Sequence, residues 1–141
     1  ENNCVEAEAG HVIMLMRAQG CTELYRSDSF DYGETWQDAY PCGIPSASSK
    51  ITLLSGRGKI LLIHNACAET ESMEGRKNLS IWVSEDGMHS WSTKYKLLAQ
   101  DESMFYPHAF LDEERKAVYL ACENTRQSYC LRVPFSELWD K

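Results

Sequence analysis

Residues 29–36, Ser29-Phe30-Asp31-Tyr32-Gly33-Glu34-Thr35-Trp36, follow the pattern Ser-x-Asp-x-Gly-x-Thr-Trp. That octapeptide suits one local shape, a tight turn closing two antiparallel strands. Short Ser and Asp side chains bond to nearby backbone groups. Gly takes a positive φ without a steric cost. Trp anchors the turn against the strands it joins. A second copy starts 55 residues later, Ser84-Glu85-Asp86-Gly87-Met88-His89-Ser90-Trp91. It departs from the pattern. Met88 stands where Gly belongs, Gly87 comes one place early, and Ser90 replaces Thr. Each copy directly follows an apolar run. The residues Ser29, Asp31, Gly33, Trp36, Ser84, Asp86 and Trp91 are therefore read as structural, and the two aspartates as turn residues rather than acids. His89 is a loop residue in the same reading.

Along its whole length the chain alternates short apolar runs with turn signals and shows no long helical period. Strands are expected at His11 to Arg17, Thr22 to Ser29, Lys50 to Ser55, Lys59 to Asn65, Leu79 to Ser84, Trp91 to Ala99, Phe105 to Leu111, Ala117 to Glu123 and Ser128 to Val133. Gly56-Arg57-Gly58 reads as a hairpin turn. The Pro-, Gly- and Ser-rich segment Tyr40 to Ser49 and the acidic segment Ala66 to Gly75 read as loops. Pro134 to Trp139 has room for one helical turn. Counted in fours, the strands make roughly two and a half to three small antiparallel sheets, with a repeat of about 40 to 50 residues, the signature of a β-propeller. A β-sandwich uses strands at a similar spacing. The class is all-β either way.

Composition narrows function by exclusion. The 141 residues carry a net charge of −7, so there is no basic footprint for nucleic acid. An anionic ligand would need a local arginine cluster acting against the overall field. The longest apolar runs, such as Val12 to Met16, fall far short of the roughly 20 residues that span a bilayer. No signal peptide is apparent. The chain starts at Glu1 rather than Met, which is expected either if something was removed upstream or if it is a piece of a longer protein, and the compartment is left open. Six cysteines (Cys4, Cys21, Cys42, Cys67, Cys122 and Cys130) show no CxxC or Cys/His spacing, so no metal and no cofactor is expected. Cys4, Cys67 and Cys122 lie in or beside apolar runs, as buried thiols do. Asn78-Leu79-Ser80 fits a glycosylation sequon but opens a strand, so it is read as a chance match.

With the repeats in place, the sequence resembles the sialidase superfamily, in particular the BNR-repeat (Asp-box) sialidase-like proteins. The resemblance extends over essentially all of residues 1–141. It implies a six-bladed propeller of about twice this length, with this chain as one partial domain of about three blades, the C-terminal half. It also implies a site. The segment from Glu1 through Val5 and Gly10 to Arg17 is similar to the part that holds a Tyr-activating Glu and a carboxylate-binding Arg, placing Glu1 and Arg17 in those roles. Arg76-Lys77-Asn78-Leu79-Ser80 is similar to the segment carrying another arginine. Phe105-Tyr106-Pro107, 30 residues after Arg76, stands where the nucleophilic Tyr belongs. Pro107 replaces the Ser that often follows that Tyr. Asn65 and Ser46 to Ser49 lie in segments similar to ligand-facing loops, with Asn65 as a substrate-binding candidate. His64, His108 and Glu123 are strand-end residues near these segments, with His108 beside the candidate nucleophile and Glu123 a candidate for the channel.

The implied chemistry demands these residue types. The anomeric carbon of a sialoside bears a carboxylate, which would repel a carboxylate nucleophile. A phenol activated by a neighbouring Glu avoids that repulsion, and Tyr nucleophiles are the sialidase exception among glycosidases. An arginine fork matches a carboxylate bidentately and stays charged. The expected function is thus retaining, exo-acting hydrolysis of terminal sialic or related acidic sugars. The alternatives are a non-catalytic glycan-binding propeller and a structural interaction module. No segment resembles the first arginine or the Asp acid/base of the family. The expected partners are an acidic-sugar glycan and the remaining blades, supplied by a parent chain, a partner chain or a second copy.

Overall fold

The computed structural model describes residues 1–68, 72–98 and 102–139, and its architecture is all-β. Three antiparallel sheets follow one another along the chain. The first contains β1 (Asn2–Glu8), β2 (His11–Met16), β3 (Glu23–Ser29) and β4 (Tyr40–Pro45). The second contains β5 (Thr52–Gly56), β6 (Lys59–Asn65), β7 (Leu79–Ser84) and β8 (Thr93–Lys96). The third contains β9 (Phe105–Asp112), β10 (Ala117–Glu123) and β11 (Ser128–Pro134), followed by the single-turn helix α1 (Phe135–Leu138). Every sheet is a meander, each strand pairing with its sequence neighbour. Among the described residues no helix is long and apolar enough to cross a membrane.

Three of these strands differ from the sequence expectation. Tyr40–Pro45, expected as loop, is the outer strand of the first sheet. Its prolines and Gly43 suppress the strand signal, yet an edge strand tolerates Pro because one side of it needs no ladder hydrogen bond. Asn2–Glu8 is also a strand, paired along His11–Met16 from Asn2↔Met16 to Glu8↔His11. The expected strand Trp91 to Ala99 shortens to Thr93–Lys96, and Ala99 lies outside the described residues.

Side-chain parity shows how the sheets stack. Along β6, Leu61 and Ile63 enter one core with Leu79, Ile81, Val83, Met104, Val118, Leu120 and Phe135. Ile60 and Leu62 enter the other with Val5, Ile13, Leu15, Leu24, Ile44, Trp82 and Met88. The middle sheet is covered on both faces, which is why Ile60-Leu61-Leu62-Ile63 runs without a polar break. The outer sheets are covered on one face each. On β9, Phe105, Pro107 and Ala109 are buried while Tyr106, His108 and Phe110 face outward. The sheets also meet along an inner line, with β1 beside β5 and β5 beside β9. There a Cβ on Gly56 would lie 2.5 Å from Leu111 Cδ1, so a larger residue would push that side chain aside. Each fully buried Leu or Ile contributes about 1.5 to 3 kcal/mol of hydrophobic stabilisation.

The two octapeptides fold alike. Ser29 Oγ donates to Asp31 Oδ1 (2.8 Å) and accepts from Gly33 N–H (2.8 Å). Ser84 Oγ does the same to Asp86 Oδ1 (2.9 Å) and from Met88 N–H (2.9 Å). Thr35 donates N–H and hydroxyl to Asp31 at 2.8 and 2.5 Å, and Ser90 to Asp86 at 2.8 and 2.5 Å. The displaced glycine of the second copy has a simple cause. Both turns place two successive residues in the left-handed region, Tyr32 and Gly33 at φ 61° and 89°, Gly87 and Met88 at φ 69° and 65°. One glycine in either place lowers the cost. Met88 accepts its strained position because its side chain is buried in the core.

Arg26 of β3 locks the first sheet to the second turn. It forks onto Asp28 at 2.8 and 2.9 Å and donates to the Gly87 carbonyl at 3.0 Å. His11 Nε2 lies 2.6 Å from the same Asp28 carboxylate.

Candidate functional site

Both octapeptides close the same ends of the sheets as the turns at 9–10, 57–58 and 113–116. The opposite ends are where β1, β5, β7 and β9 begin and where β2, β4 and β6 finish. There the fold gathers the candidate residues from four separate segments. Arg17 follows β2, and its backbone N–H continues the ladder onto the Glu1 carbonyl at 2.9 Å. Its side chain donates from Nη1 to Glu1 Oε2 at 2.7 Å and from Nε to Ser48 Oγ at 3.4 Å. Arg76 comes from the far side and donates from Nη2 to the Ser48 carbonyl at 3.0 Å. Ser48 therefore touches both guanidinium groups, one with each of its oxygens.

Arg76 also lies against two rings, its guanidinium carbon 5.0 Å from the centre of Phe105 and 5.4 Å from that of Tyr106. The Met104 N–H bonds the Arg76 carbonyl at 3.1 Å and holds the start of β9 in place. Tyr106 has φ 55°, a left-handed conformation that is costly for an aromatic residue. The pairing of β9 with β10 is irregular here, as Phe105 meets Glu123 while His108 meets Ala121. Tyr106 points outward and its side chain is partly exposed. The buried Pro107 accepts from Thr52 Oγ1 through its carbonyl at 2.5 Å, tying β5 to β9.

The electrostatics favour an anion. The Arg17 hydrogen bond holds the Glu1 carboxyl below its usual range, against the opposing effect of desolvation, and the charges of Arg17 and Arg76 add to the lowering. Arg17 thus has a carboxylate partner. Among the described residues Arg76 has none, and its buried Nη1 finds no acceptor. A buried guanidinium N–H without a partner carries an unmet desolvation cost that an incoming carboxylate would relieve.

Glu1, Arg17, Arg76 and Tyr106 are brought together, but Glu1 is engaged by Arg17. The Asn65 expectation needs correcting. Asn65 is buried, and its amide donates to the Lys77 carbonyl at 3.2 Å and the Met104 carbonyl at 2.7 Å. It holds the segments that carry Arg76 and Tyr106 and offers no surface to a ligand. His64 is fully buried edge-on to Trp82, and burial pulls its pKa down to about 3, so it is neutral. His108 and Glu123 are exposed. Of the cysteines expected to be buried, Cys122 is, whereas Cys4 faces outward on β1 and Cys67 is half-buried, donating to the Gly75 and Lys77 carbonyls. Ser48 and Phe105 were the residues hardest to foresee. Ser48 lies in the Ser46 to Ser49 stretch read as similar to a ligand-facing loop, but its bridging of two arginines has no sequence signal, and Phe105 reads as an ordinary core ring.

The family model of the BNR repeat-like domain matches residues 2–120. The chain belongs to that family. The resemblance to the sialidase-like BNR-repeat superfamily thus stands on a match covering most of the chain, from β1 to β10. A comparison with curated proteins finds no match. Membership supports a sialidase-like or related glycan-associated role at the coarse level.

Proposed function

We propose that this domain supplies the carboxylate-binding and nucleophile-bearing part of a sialidase-like glycoside hydrolase acting on terminal sialic or related acidic sugars. The observation carrying this reading is the buried Nη1 of Arg76, unpartnered among the described residues, beside Arg17 and next to the partly exposed Tyr106. In this reading Arg76 and Arg17 grip the sugar carboxylate. The Tyr106 oxygen attacks the anomeric carbon, the leaving sugar departs protonated by an acid from outside this chain, and water then releases the glycosyl group with retention. Glu1 receives the Tyr106 proton once substrate has drawn Arg17 away from it. The three stacked meanders are three blades of a propeller, completed by a parent chain, a partner chain or a second copy. The open faces of the first and third sheets support that arrangement.

The test is a fluorogenic sialoside assay on the completed assembly. Tyr106→Phe is expected to abolish hydrolysis and spare sialic acid binding, and full activity in that variant would refute the nucleophile. Light scattering identifies the source of the missing blades. A mass of about 32 kDa, twice the 16.1 kDa chain, marks closure by a second copy, and a monomer directs the assay to a longer chain. The engagement of Glu1 by Arg17 favours one alternative, a glycan-binding propeller that does not turn over. It predicts sialic acid binding weakened by Arg17→Ala, with no hydrolysis in any assembly.

A further inference from the structure

The turn ends of the sheets, opposite the arginines, carry an unusual surface. Four aromatic side chains in and beside the first octapeptide are exposed, namely Phe30, Tyr32, Trp36 and Tyr40. The turn itself does not require them. The second octapeptide makes the same hydrogen bonds with Glu85 in place of Phe30 and Gly87 in place of Tyr32. Its Trp91 packs edge-on against Trp82 at 5.3 Å, whereas Trp36 bonds only the Gly33 carbonyl (3.0 Å) through its indole N–H. Backbone strain makes the same contrast. Met88 at φ 65° is 6% exposed and its strain is offset by burial, while Tyr32 at φ 61° is 71% exposed. Tyr32 lies over the Gly10 turn and its N–H bonds the Gly10 carbonyl at 3.1 Å, yet most of its ring stays exposed.

Phe30 and Trp36 wall a cleft of about 230 Å3 that is also lined by Asp28, Asp31, Thr35 and Gln37. Asp28 is its buried polar anchor, only 4% exposed. Among the described residues three donors reach that carboxylate, Arg26 Nε on Oδ1 at 2.8 Å, with Arg26 Nη2 and His11 Nε2 on Oδ2 at 2.9 and 2.6 Å. A carboxylate has about four acceptor positions, of which these donors use three. His11 stacks on Phe30 with ring centres 4.5 Å apart and fixes that wall.

From these observations we propose a second ligand site in this cleft, binding one ring of a neutral sugar. The apolar C–H face of a pyranose packs on the negative face of an aromatic ring, and its hydroxyls donate to a carboxylate. Size agrees, since the cleft is smaller than the roughly 300 to 1,000 Å3 of drug-sized pockets and suits a single ring. Charge selects the ligand. With Asp28 paired to Arg26, Asp31, Glu34 and Asp38 make this end acidic and turn away the carboxylate-bearing sugars that the arginine end attracts. The site stands independently of the function proposed for the arginines. Together the two ends fit a branched or extended glycan that has a neutral ring some distance from its acidic terminus.

The experiment is a titration of the 15N-labelled chain with methyl β-galactoside and methyl β-glucoside, following the four tryptophan indole N–H signals, assigned through Trp36→Phe. The Trp36 signal is expected to move and saturate with a Kd on the order of 1 to 10 mM, while those of Trp82, Trp91 and Trp139 stay in place. Phe30→Ala should weaken that response about tenfold, with Tm unchanged as the fold control. The double variant Arg17→Ala/Arg76→Ala should leave the neutral-sugar response unaltered, so the two sites can fail independently. No saturable Trp36 movement with either sugar, or an undiminished response in folded Phe30→Ala, overturns the proposal.

Discussion

Arg76 and Ser48 meet through the main chain, Nη2 of the arginine bonding the serine carbonyl at 3.0 Å. No side-chain substitution at Ser48 can remove that bond, whereas the hydroxyl of the same residue serves Arg17 at 3.4 Å. The two arginines are therefore positioned separately by one residue.

Arg76→Lys tests the fork. Lysine keeps the charge but loses the planar contact with Phe105 and Tyr106 and the paired N–H groups. Binding of sialic acid should weaken by about tenfold or more, close to 1.4 kcal/mol, in a calorimetric titration of the completed assembly. Ser48→Ala should have a smaller effect, since only the long Arg17 contact is lost. Equal effects from the two variants would contradict this division of roles.

Acid should destabilise the protein through its two turns. Hydrogen bonds from the Thr35 hydroxyl and N–H, then from Ser29, hold the Asp31 carboxyl down to about 2, from an ordinary 3.8. Those from Ser90 and Ser84 lower Asp86 in the same way. A carboxyl lowered on folding contributes stability that is present above its unfolded pKa and is lost as pH falls through the folded one. Urea midpoints should therefore fall as pH drops from about 4 toward 2, because the unfolded chain takes up protons first. Asp31→Asn should lower the midpoint at pH 7 and flatten the acid limb. An acid limb as steep as that of the parent chain would assign the acid sensitivity elsewhere.

The same turns show what could be read before the structure. The octapeptides disclosed their own geometry because Ser, Asp and Trp at fixed offsets satisfy one another within eight residues. Ile60 to Ile63 disclosed a strand for an equally local reason. The edge strand Tyr40–Pro45 stayed hidden because its pairing with Glu23–Ser29 is long-range and its own residues favour turns. Arg17, Arg76 and Tyr106 were legible through resemblance to a family, and the fold brings them together. Asn65 was misread because its burial depends on three segments closing over it. Ser48 contributes a backbone oxygen, which no pattern of side chains reveals.

Met88 and Tyr32 should respond oppositely to the same substitution. Met88→Gly relieves a left-handed residue, worth about 1 to 2 kcal/mol, but empties a core site whose truncation costs about 2 to 5 kcal/mol. Net destabilisation is expected. Tyr32→Gly brings the relief with little buried surface lost, so its stability in urea should be unchanged or slightly higher. A large loss in Tyr32→Gly would show that the ring supports the Gly10 turn it lies against.

Arg26→Ala should be the most damaging of these changes, because it breaks a buried ion pair from one side. Arg26 is 4% exposed and Asp28 4% exposed, so the aspartate would remain buried with only His11 beside it. Breaking such a pair costs about 3 to 5 kcal/mol, against a total stability of about 5 to 15 kcal/mol for a domain. The loss should also reach the second turn, because Arg26 supplies the hydrogen bond to the Gly87 carbonyl. Hydrogen exchange distinguishes this from a local defect. Protection is expected to fall at the amides of Met88 and Ser90 in the second sheet as well as along Glu23–Ser29. Loss confined to the first sheet would mean that the two sheets are held together by their shared apolar core alone.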